Sequence, residues 1–397
     1  MVHRFGDDIA GGSEGHCRGV AENLAASPAG HDVTVLTTCA RSHITWQNEF
    51  PAGESQSGSL TVHRFPVVRT RSMHRFTEIS EIVFDGSATA AEEELWFREN
   101  GPEAPALLEF LTRHGAGYDL ILFWSFRYYE TFFGLPLVAD RSVLVPTAED
   151  DPTIRMRSLD RFFSLPRGFL FLTPEEEALV ADVCSRPLAP SRVIGSGLEP
   201  VAPAAGSAAV LEPLGISGPF VLYLGRIDPN KGCEALLRHF VRYVDAGGQA
   251  VPLVMAGPEN MPMPDHPLVR RLGFVGDEVR EALLSNAALL VVPSFYESLS
   301  LVLLEAWNQG LPALVNGRCA VLHGQVLRAD GGLSYRYAHE FAAALKYLLT
   351  HPDVAKQLGR QGLAYVEQEY RWPTVMKKVE SFLEASVGNA ASAPRVG

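Results

Sequence analysis

The stretch VLYLGRIDPNKG, Val221–Gly232, predicts the fold of the second half of the chain. Its first residues continue an apolar run, which is typical of a parallel strand covered on both faces of a sheet. We expect this strand, Phe220–Leu224, to end at Gly225 and to be followed by a helix over Lys231–Val244. A strand, a short turn and a helix make one repeat of an α/β domain.

The turn of this repeat carries two cations, Arg226 and Lys231. At the carboxyl end of a strand they could hold a pyrophosphate, the arginine through its planar fork and the lysine as a point charge. The alternative is a solvated turn in which both cations pair with Asp228 at the surface. The order of residues is not that of a P-loop.

Similar apolar runs recur on both sides of residue 200 and alternate with amphipathic helical patterns. The predicted strands are His31–Thr38, Tyr118–Ser125, Arg141–Thr147, Gly168–Thr173, Val251–Gly257 and Ala288–Ser294, and two further predicted helices are Gly12–Ala26 and Glu340–Thr350. Two such series predict an α/β protein with two doubly wound, Rossmann-like domains that face a cleft. Ligands of these sheets bind beyond the carboxyl ends of the strands, so the cleft is the expected site.

The composition gives the domain boundaries. We predict one domain over residues 1–198, a Pro- and Ala-rich linker over 199–218, and a second domain over 219–371. A helix over 372–386 is expected to pack back on the first domain, and residues 387–397 are expected to be disordered. Only MVHRF precedes the first Gly-rich turn, which predicts a very short first strand or a natural start that lies upstream.

Whole-chain properties exclude several classes of protein. The 397 residues carry a net charge of -12, which argues against binding to bulk nucleic acid. No apolar run reaches the length of about 20 residues that spans a bilayer. The five cysteines are scattered without a C-x-x-C pair, which favours a reducing cytoplasm over a disulfide frame or a zinc site. Peripheral contact with a membrane and the oligomeric state stay open.

A second stretch, PSFYESLSLVLLEAW over Pro293–Trp307, keeps two carboxylates, Glu297 and Glu305, in an apolar run. On one helix they would be about 12 Å apart, wider than the roughly 5–9.5 Å between the acids of a glycosidase. We therefore expect a loop over Pro293–Ser298 and a helix that starts near Leu299 or Ser300. The free N–H groups of its first turn suit an anion. Glu305 then needs donors, which are either the hydroxyls of a ribose or a buried arginine.

These stretches together resemble a known family. GRIDPNKG (225–232) and RRLGFVGDEVREALLSNAALLVVPSFYESLSLVLLEAWNQGLPALV (270–315) look like the donor domain of retaining GT-B glycosyltransferases, the large group 1 or family 4-like family with its E-x7-E glutamates. DIAGGSEGHCRGVAENLAA (8–26) resembles the first loop and helix of the acceptor domain in that family. The recognisable motifs cover residues 6–38 and about 218–315.

The resemblance implies a metal-independent glycosyltransferase without a cofactor, which moves a sugar from a nucleotide diphosphate to an acceptor with retention of configuration. Glu297, Arg226 and Lys231 would be the catalytic residues, with Glu297 on the transferred sugar and the two cations on the diphosphate. Glu305 would bind the ribose. Three groups of residues would complete the donor site. Gly11 and Gly12 would let the acceptor-domain backbone approach the donor closely, and the backbone of Gly273, Phe274 and Val275 would lie against the base. The helix N–H groups of Ser298, Leu299, Ser300 and Leu301 would face the phosphates.

Two departures from the family pattern affect the acceptor side. Many relatives have glycine where this chain has Ser300, and many have a histidine after the strand that ends near Trp124. Here that loop reads SFRYYETFF, so the candidates for the acceptor are Ser125, Arg127, Tyr128 and, from the acidic turn VPTAEDDP, Glu149. The arginines of VVRTRSMHRF, namely Arg69, Arg71 and Arg75, could meet an anionic acceptor or a lipid headgroup, but a solvated face is the preferred interpretation.

Two other functions remain open. A sugar-nucleotide epimerase can use the same architecture, although the E-x7-E motif argues against it. A sugar-nucleotide-binding scaffold without catalysis is the non-enzymatic alternative, and the missing acceptor-side histidine favours it. The sequence does not identify the nucleotide, the sugar or the acceptor.

Overall fold

The computed structural model describes residues 1–9, 11–201 and 207–391. The helices are α1 Gly12–Ala25, α2 Met73–Phe84, α3 Ala90–Asn100, α4 Pro105–His114, α5 Tyr129–Gly134, α6 Arg157–Phe163, α7 Pro174–Val183, α8 Ser207–Leu211, α9 Cys233–Asp245, α10 Asp277–Asn286, α11 Leu301–Asn308, α12 Ala320–Ala329, α13 Ala338–Thr350, α14 Pro352–Glu369 and α15 Trp372–Ala391. The strands are β1 Thr34–Thr38, β2 Gly53–Ser57, β3 Leu60–Phe65, β4 Ile121–Trp124, β5 Ser142–Val145, β6 Gly168–Phe171, β7 Ser191–Val193, β8 Val221–Leu224, β9 Leu253–Ala256, β10 Val269–Gly273, β11 Leu289–Val292, β12 Ala313–Asn316 and β13 Gly332–Tyr335.

The chain folds into two units. Unit 1 contains Met1–Gly197 and the segment that starts at Trp372, and unit 2 contains Leu198–Arg371. Each unit has its own apolar core of strand and helix side chains, as expected of an independent domain.

Unit 1 contains a three-stranded sheet in the order β1-β3-β2 and a four-stranded parallel sheet in the order β4-β5-β6-β7. The segment Met1–Phe5 lies between them. The Val2 N–H donates to the Leu36 carbonyl on one side (3.2 Å), and the Trp124 N–H donates to the Met1 carbonyl on the other (3.0 Å). The short first segment therefore occupies the central position of this unit, and His3 and Arg4 lie at its carboxyl end.

Unit 2 is one sheet of six parallel strands in the order β10-β9-β8-β11-β12-β13. The order reverses between β8 and β11, which pair side by side although they are far apart in sequence. In doubly wound sheets this switch point is where ligands bind. The turns after β8 and β11 are the two stretches that the sequence singled out.

The predicted linker, residues 199–218, is only partly irregular. Residues 202–206 lie outside the described part, but α8 follows directly and packs on unit 2. Asn286 Nδ2 on α10 donates to Ser207 Oγ over 2.8 Å, and Leu211 is buried. A run of Ala, Val and Leu favours a helix once an apolar surface is available to cover it.

The C-terminal helix α15 packs on α1 within unit 1. The Trp372 ring occupies the space that a side chain would take at Gly19 and Gly197. Arg167 Nε donates to the Ser386 carbonyl over 3.0 Å. The helix runs to Ala391, five residues into the segment that was predicted to be disordered, and the last six residues lie outside the described part.

Candidate functional site

The turns after β8 and β11 bring a lysine and a glutamate together. Lys231 Nζ donates to Glu297 Oε1 over 2.9 Å, although the two residues are 66 positions apart in sequence. Both side chains are partly buried. The prediction placed Lys231 on a diphosphate and Glu297 on a sugar. The structure shows the side chains of Lys231 and Glu297 in contact with each other.

The turn that carries Lys231 is fixed by local hydrogen bonds. The Asp228 carboxylate accepts the Asn230 N–H over 2.8 Å and so begins the short helical turn Pro229–Lys231. Gly232 then takes φ +74 at the start of α9, and its Cα faces the loop after β11. A Cβ at Gly232 would lie 2.8 Å from the carbonyl carbon of Pro293.

We expect Gly232→Ala to lower the free energy of unfolding by about 2–4 kcal/mol, because it adds a clash to an unfavourable φ. Gly247→Ala is the matched control, since Gly247 has φ +83 but nothing within 4 Å of the added Cβ. The control should lose only about 1 kcal/mol. Urea unfolding of both variants measures the difference, and equal losses would show that the contact with Pro293 does not constrain the turn.

The loop that carries Glu297 is held by β12 and the segment after it. Asn316 Nδ2 donates to the carbonyls of Pro293 (3.2 Å) and Ser294 (3.3 Å). Burial raises the pKa of the Cys319 thiol to about 11. Hydrogen bonds from backbone N–H groups, including that of Glu297, partly oppose this increase. Sequence reasoning missed Asn316 and Cys319; a polar residue at the end of the apolar run ALVN was the available signal.

The helix after Glu297 begins where the sequence predicted. Ser300 is the N-cap of α11 with extended φ and ψ, and Leu301 is the first helical residue. The Ser300 N–H points to Gln325 Oε1 on α12 over 3.4 Å. Of the four residues predicted to face a phosphate, Ser298 to Leu301, Leu299 and Ser300 are buried and the other two are partly exposed.

Glu305 on α11 contacts the guanidinium of Arg280 on α10. Burial raises the pKa of Glu305, and Arg280 opposes that shift. The sequence left two partners open for this carboxylate, a ribose and an arginine, and the structure shows the arginine. The contact with Arg280 involves Oε2 of Glu305. The binding of a ribose by Glu305 stays a prediction.

Arg280 also lies close to the residues predicted to meet the base. The backbone N–H of Arg280 donates to the Gly276 carbonyl over 2.9 Å. Gly276 directly follows Gly273, Phe274 and Val275 in the sequence. Phe274 is 77% exposed, and Gly273 has φ +65. An exposed aromatic ring is suited to stacking or edge contact with a base.

Arg226 is placed differently from Lys231. Its carbonyl accepts the Tyr223 hydroxyl over 2.5 Å, whereas its side chain is exposed and has no ion-pair partner among the described residues. The structure therefore brings together Lys231 and Glu297, and leaves Arg226 directed to solvent.

The predicted glycines Gly11 and Gly12 belong to unit 1 and begin α1. Gly11 has φ -164, an extended conformation that any residue adopts, so its freedom of rotation is not the reason for glycine. A Cβ at Gly11 would lie 2.7 Å from Glu14 Cδ. Gly11 is thus required by the buried Glu14 carboxylate, which sequence reasoning did not single out.

Glu14 belongs to a buried polar network at the carboxyl end of the first segment. Its Oε1 lies 2.9 Å from His3 Nε2 and also contacts Arg4. Burial alone would raise the pKa of Glu14, but His3 and Arg4 lower it well below the usual range. The carboxylate is therefore ionised.

The four acceptor candidates lie near this network. Ser125 is buried with φ +64 and follows β4 directly. Arg127 Nη1 donates to Asp151 Oδ2 (2.6 Å), and its Nη2 lies 3.5 Å from Glu149 Oε2. The ring of Tyr128 stacks on His3 with centroids 3.7 Å apart. Arg127 and Glu149 therefore pair with each other, which the sequence analysis did not foresee.

Glu130 in α5 is fully buried, and neither of its carboxylate oxygens has a hydrogen-bond partner among the described residues. Burial raises its pKa from 4.5 to about 8. A carboxyl group that binds its proton more tightly in the folded state stabilises the fold below its unfolded pKa, and this contribution is lost as the pH rises through the folded pKa.

The unfolding free energy should therefore fall by about 1–3 kcal/mol between about pH 5 and pH 8 because of Glu130. Glu130→Gln should flatten this part of the profile, because the amide does not titrate. Glu109→Gln, at a side chain that is 66% exposed, is the control and should keep the slope. Urea midpoints across this pH range test the expectation, and an unchanged slope in Glu130→Gln would contradict it.

The described residues contain neither a metal-binding cluster nor a membrane-spanning helix. No cluster of three or more His, Cys, Asp or Glu side chains there is arranged to hold a metal ion. None of the helices in the same residues has the length and apolar character needed to cross a membrane.

Comparison with known proteins identifies the segment that carries the site. Residues 218–351 match the model of the family described as glycosyl transferases group 1. The glycogen synthase of Mycobacterium tuberculosis is 29% identical over 187 residues, which are 44% of this chain and 45% of that protein. The chain spans about half the length of the curated relatives it matches.

Solved structures resemble the chain over nearly its full length. The sucrose-phosphate synthase of Thermosynechococcus elongatus has a TM-score of 0.72 at 21% identity, and the match covers 96% of this chain and 95% of that one. Anabaena HepE, solved with UDP-glucose, has a TM-score of 0.68 at 14% identity and covers 97% of this chain and 99% of that one. At such identities the likeness shows the fold.

The predicted fold class, α/β with two Rossmann-like domains, is confirmed, and so is the resemblance to this family. Retention of configuration and the placement of the two domains across a cleft stay predictions. Residues 218–351 match the glycosyl transferases group 1 model, and the chain has the two-domain GT-B fold.

Proposed function

We propose that this protein is a retaining, metal-independent glycosyltransferase that moves a sugar from a nucleotide diphosphate to an acceptor. The observation that carries the proposal is the Lys231–Glu297 contact at the switch point of the unit 2 sheet. It lies in the segment that matches the glycosyl transferases group 1 model.

The donor would lie along the carboxyl ends of β8 and β11. Lys231 would hold the diphosphate, together with the N–H groups at the start of α11 and with Arg226 once its exposed side chain turns inward. Glu297 would accept hydrogen bonds from hydroxyls of the sugar, and Glu305 would do so from the ribose beside Arg280. The support for a nucleotide sugar is the family match and the UDP-glucose found with HepE, a protein of the same fold.

The chemistry would be dissociation of the nucleoside diphosphate from the anomeric carbon. Negative charge builds up on the leaving phosphate, and a preorganised cation and helix N–H groups stabilise it without reorganisation of water. Lys231 performs this role as a fixed cation, because its contact with Glu297 and the rigid turn before Gly232 limit its conformations. The same charge neutralisation is the reason that we propose no divalent metal.

We also propose that the protein acts in the cytoplasm. All five cysteines are free thiols and four of them are buried, a state that a reducing cytoplasm maintains. Nucleotide sugars would be the donor there, and the acceptor would be bound by unit 1.

Thermal unfolding with UDP, GDP, dTDP, ADP and CMP, and with their sugar conjugates, tests the donor class first. A nucleotide at 100 times its dissociation constant should add about 2.7 kcal/mol of stability, which raises the Tm by a few degrees. The sugar conjugate that binds is then incubated with acceptors, with and without EDTA, and the anomer of the product is read by NMR. Isomerisation of the donor alone would indicate an epimerase, and binding without turnover would indicate a scaffold.

A further inference from the structure

An aromatic cluster in unit 1 surrounds the partly exposed ring of Tyr128. His3 stacks on that ring, and Trp46 meets it edge-on with centroids 5.8 Å apart. The Trp46 side chain is buried, and its backbone has φ +55, which is rare for a bulky residue. Such conformations persist where the surroundings impose them, and they are concentrated at functional sites.

Three arginines lie around this cluster. Arg4, Arg71 and Arg127 are all close enough to the Tyr128 hydroxyl to lower its pKa, although burial raises that pKa to about 12 overall. Two of these guanidinium groups have a buried nitrogen without a hydrogen-bond partner among the described residues, Nε of Arg4 and Nε of Arg71. Nη2 of Arg127 instead lies 3.5 Å from Glu149 Oε2. Buried donors are normally satisfied, so two incomplete guanidinium groups near one tyrosine indicate a missing acceptor of hydrogen bonds.

The three arginines differ in whether an acidic side chain pairs with them. Arg4 contacts Glu14, and Arg127 pairs with Asp151 and Glu149. Arg71 instead donates to the carbonyl of His43 (3.0 Å) and to the side-chain amide oxygen of Asn100. Within residues 1–9, 11–201 and 207–391, Arg71 has no carboxylate partner.

Burial disfavours the charged form of Arg71 more than that of nearby Arg69. Its guanidinium lies over the rings of Trp46 (5.4 Å) and Phe76 (4.3 Å), and burial lowers its pKa to about 10. Arg69, two residues earlier, is neutralised by Glu99 and Glu103. A partly buried cation without an acid is costly unless a ligand supplies the anion.

We infer that Arg71, beside Tyr128, is the binding residue for an acidic group of the acceptor, either a phosphate or a carboxylate. The acceptor part of this inference rests on the proposed function; the anion site itself does not. The planar fork of arginine suits both oxyanions, and the partly exposed ring of Tyr128 offers a surface to the carbon skeleton that carries the anion. For Arg71, this inference replaces the solvated surface position that was preferred from the sequence. Arg75 is exposed and keeps that interpretation.

Calorimetry tests the anion site without turnover. The protein is saturated with the nucleotide diphosphate that stabilises it, so that the phosphate sites of unit 2 are filled. Inorganic phosphate, glucose 6-phosphate, glucuronate and glucose are then titrated. We expect the three anions to bind and glucose to bind at least about 10-fold more weakly. Equal binding of glucose and its phosphate, or no binding of any anion, would overturn the inference.

Variants assign the site to Arg71. Arg71→Gln should weaken the binding of the anions about 10–100-fold and leave glucose unchanged, because a charged hydrogen bond is lost. Arg75→Gln, on the exposed face of α2, should bind the anions like the unaltered chain. Arg71→Lys keeps the charge and serves if the glutamine variant does not fold; it should retain part of the affinity. An equal loss in Arg75→Gln, or none in Arg71→Gln, would refute the assignment.

Turnover separates this inference from the proposed function. Sugars offered as neutral compound, uronic acid and phosphate monoester should show a higher kcat/KM for the charged forms, and Arg71→Gln should raise KM for these forms while kcat changes little. Transfer to neutral sugars with no effect of Arg71 would leave the proposed function standing and sink the anion site. Arg71-dependent binding to phosphatidylglycerol vesicles, with none to the soluble phosphates, would place the anion on a lipid headgroup.

Discussion

Replacing Glu297 by alanine is expected to reduce kcat for sugar transfer about 10³-fold, because the interaction that Glu297 makes with the sugar strengthens in the transition state. The affinity for the nucleotide diphosphate alone should stay the same or rise slightly. The reason lies in the contact of Lys231 Nζ with Glu297 Oε1. Without that carboxylate, Lys231 no longer shares its charge with Glu297 and can bind the phosphates more strongly.

The measurement compares kcat from initial rates with the dissociation constant of the diphosphate by calorimetry. Glu297→Gln keeps the shape of the side chain and removes its charge, so it separates the hydrogen bond from the electrostatic contribution. Glu281→Gln, at an exposed position of α10, is the control and should leave both quantities unchanged. Parallel losses of rate and nucleotide affinity in Glu297→Ala would place Glu297 on the nucleotide instead of the sugar.

The sequence predicted the core of this fold for a clear physical reason. Strands covered on both faces are continuous apolar runs, and all seven predicted strands contain an observed one. Shorter or half-exposed strands lack that signal: β2 is mostly polar, with Glu54 and Gln56 exposed, and it forms an edge hairpin with β3. The region Trp46–Pro105, for which the sequence predicted no strand or helix, contains this hairpin and two helices.

The candidate site was predictable where a motif fixed it and not where pairing across the sheet decided it. The spacing of Glu297 and Glu305 and the helix N-cap at Ser300 follow from local sequence. The partner of Glu305, Arg280, lies 25 residues away, and a helical arginine among other charged residues carries no mark of burial. The same holds for Arg71 and Arg69, which look alike in VVRTRSM, while only the fold places acids beside Arg69.

Replacing Lys231 by alanine is expected to weaken binding of the nucleotide diphosphate about 10–100-fold, since one charged hydrogen bond contributes about 1.5–3 kcal/mol. Binding of the corresponding nucleoside should not change, because that part of the donor would lie at Glu305 and Phe274. Lys346→Ala, on the exposed face of α13, is the control for the loss of a positive charge at the surface. Similar losses for diphosphate and nucleoside would contradict the assignment of Lys231 to the phosphates.

The contact between Lys231 and Glu297 makes the single variant ambiguous, because its removal leaves the Glu297 carboxylate beside the diphosphate without a counter-ion. Part of the loss in Lys231→Ala would then be repulsion between this carboxylate and the phosphates. The double variant Lys231→Ala, Glu297→Ala removes the repulsion and should recover part of the affinity, about 3–10-fold. If the double variant binds as weakly as Lys231→Ala, the carboxylate does not repel the phosphates, and the whole loss is the missing phosphate contact. Recovery would instead mean that Lys231 has two functions, to neutralise the leaving diphosphate and to let the Glu297 side chain lie within reach of it.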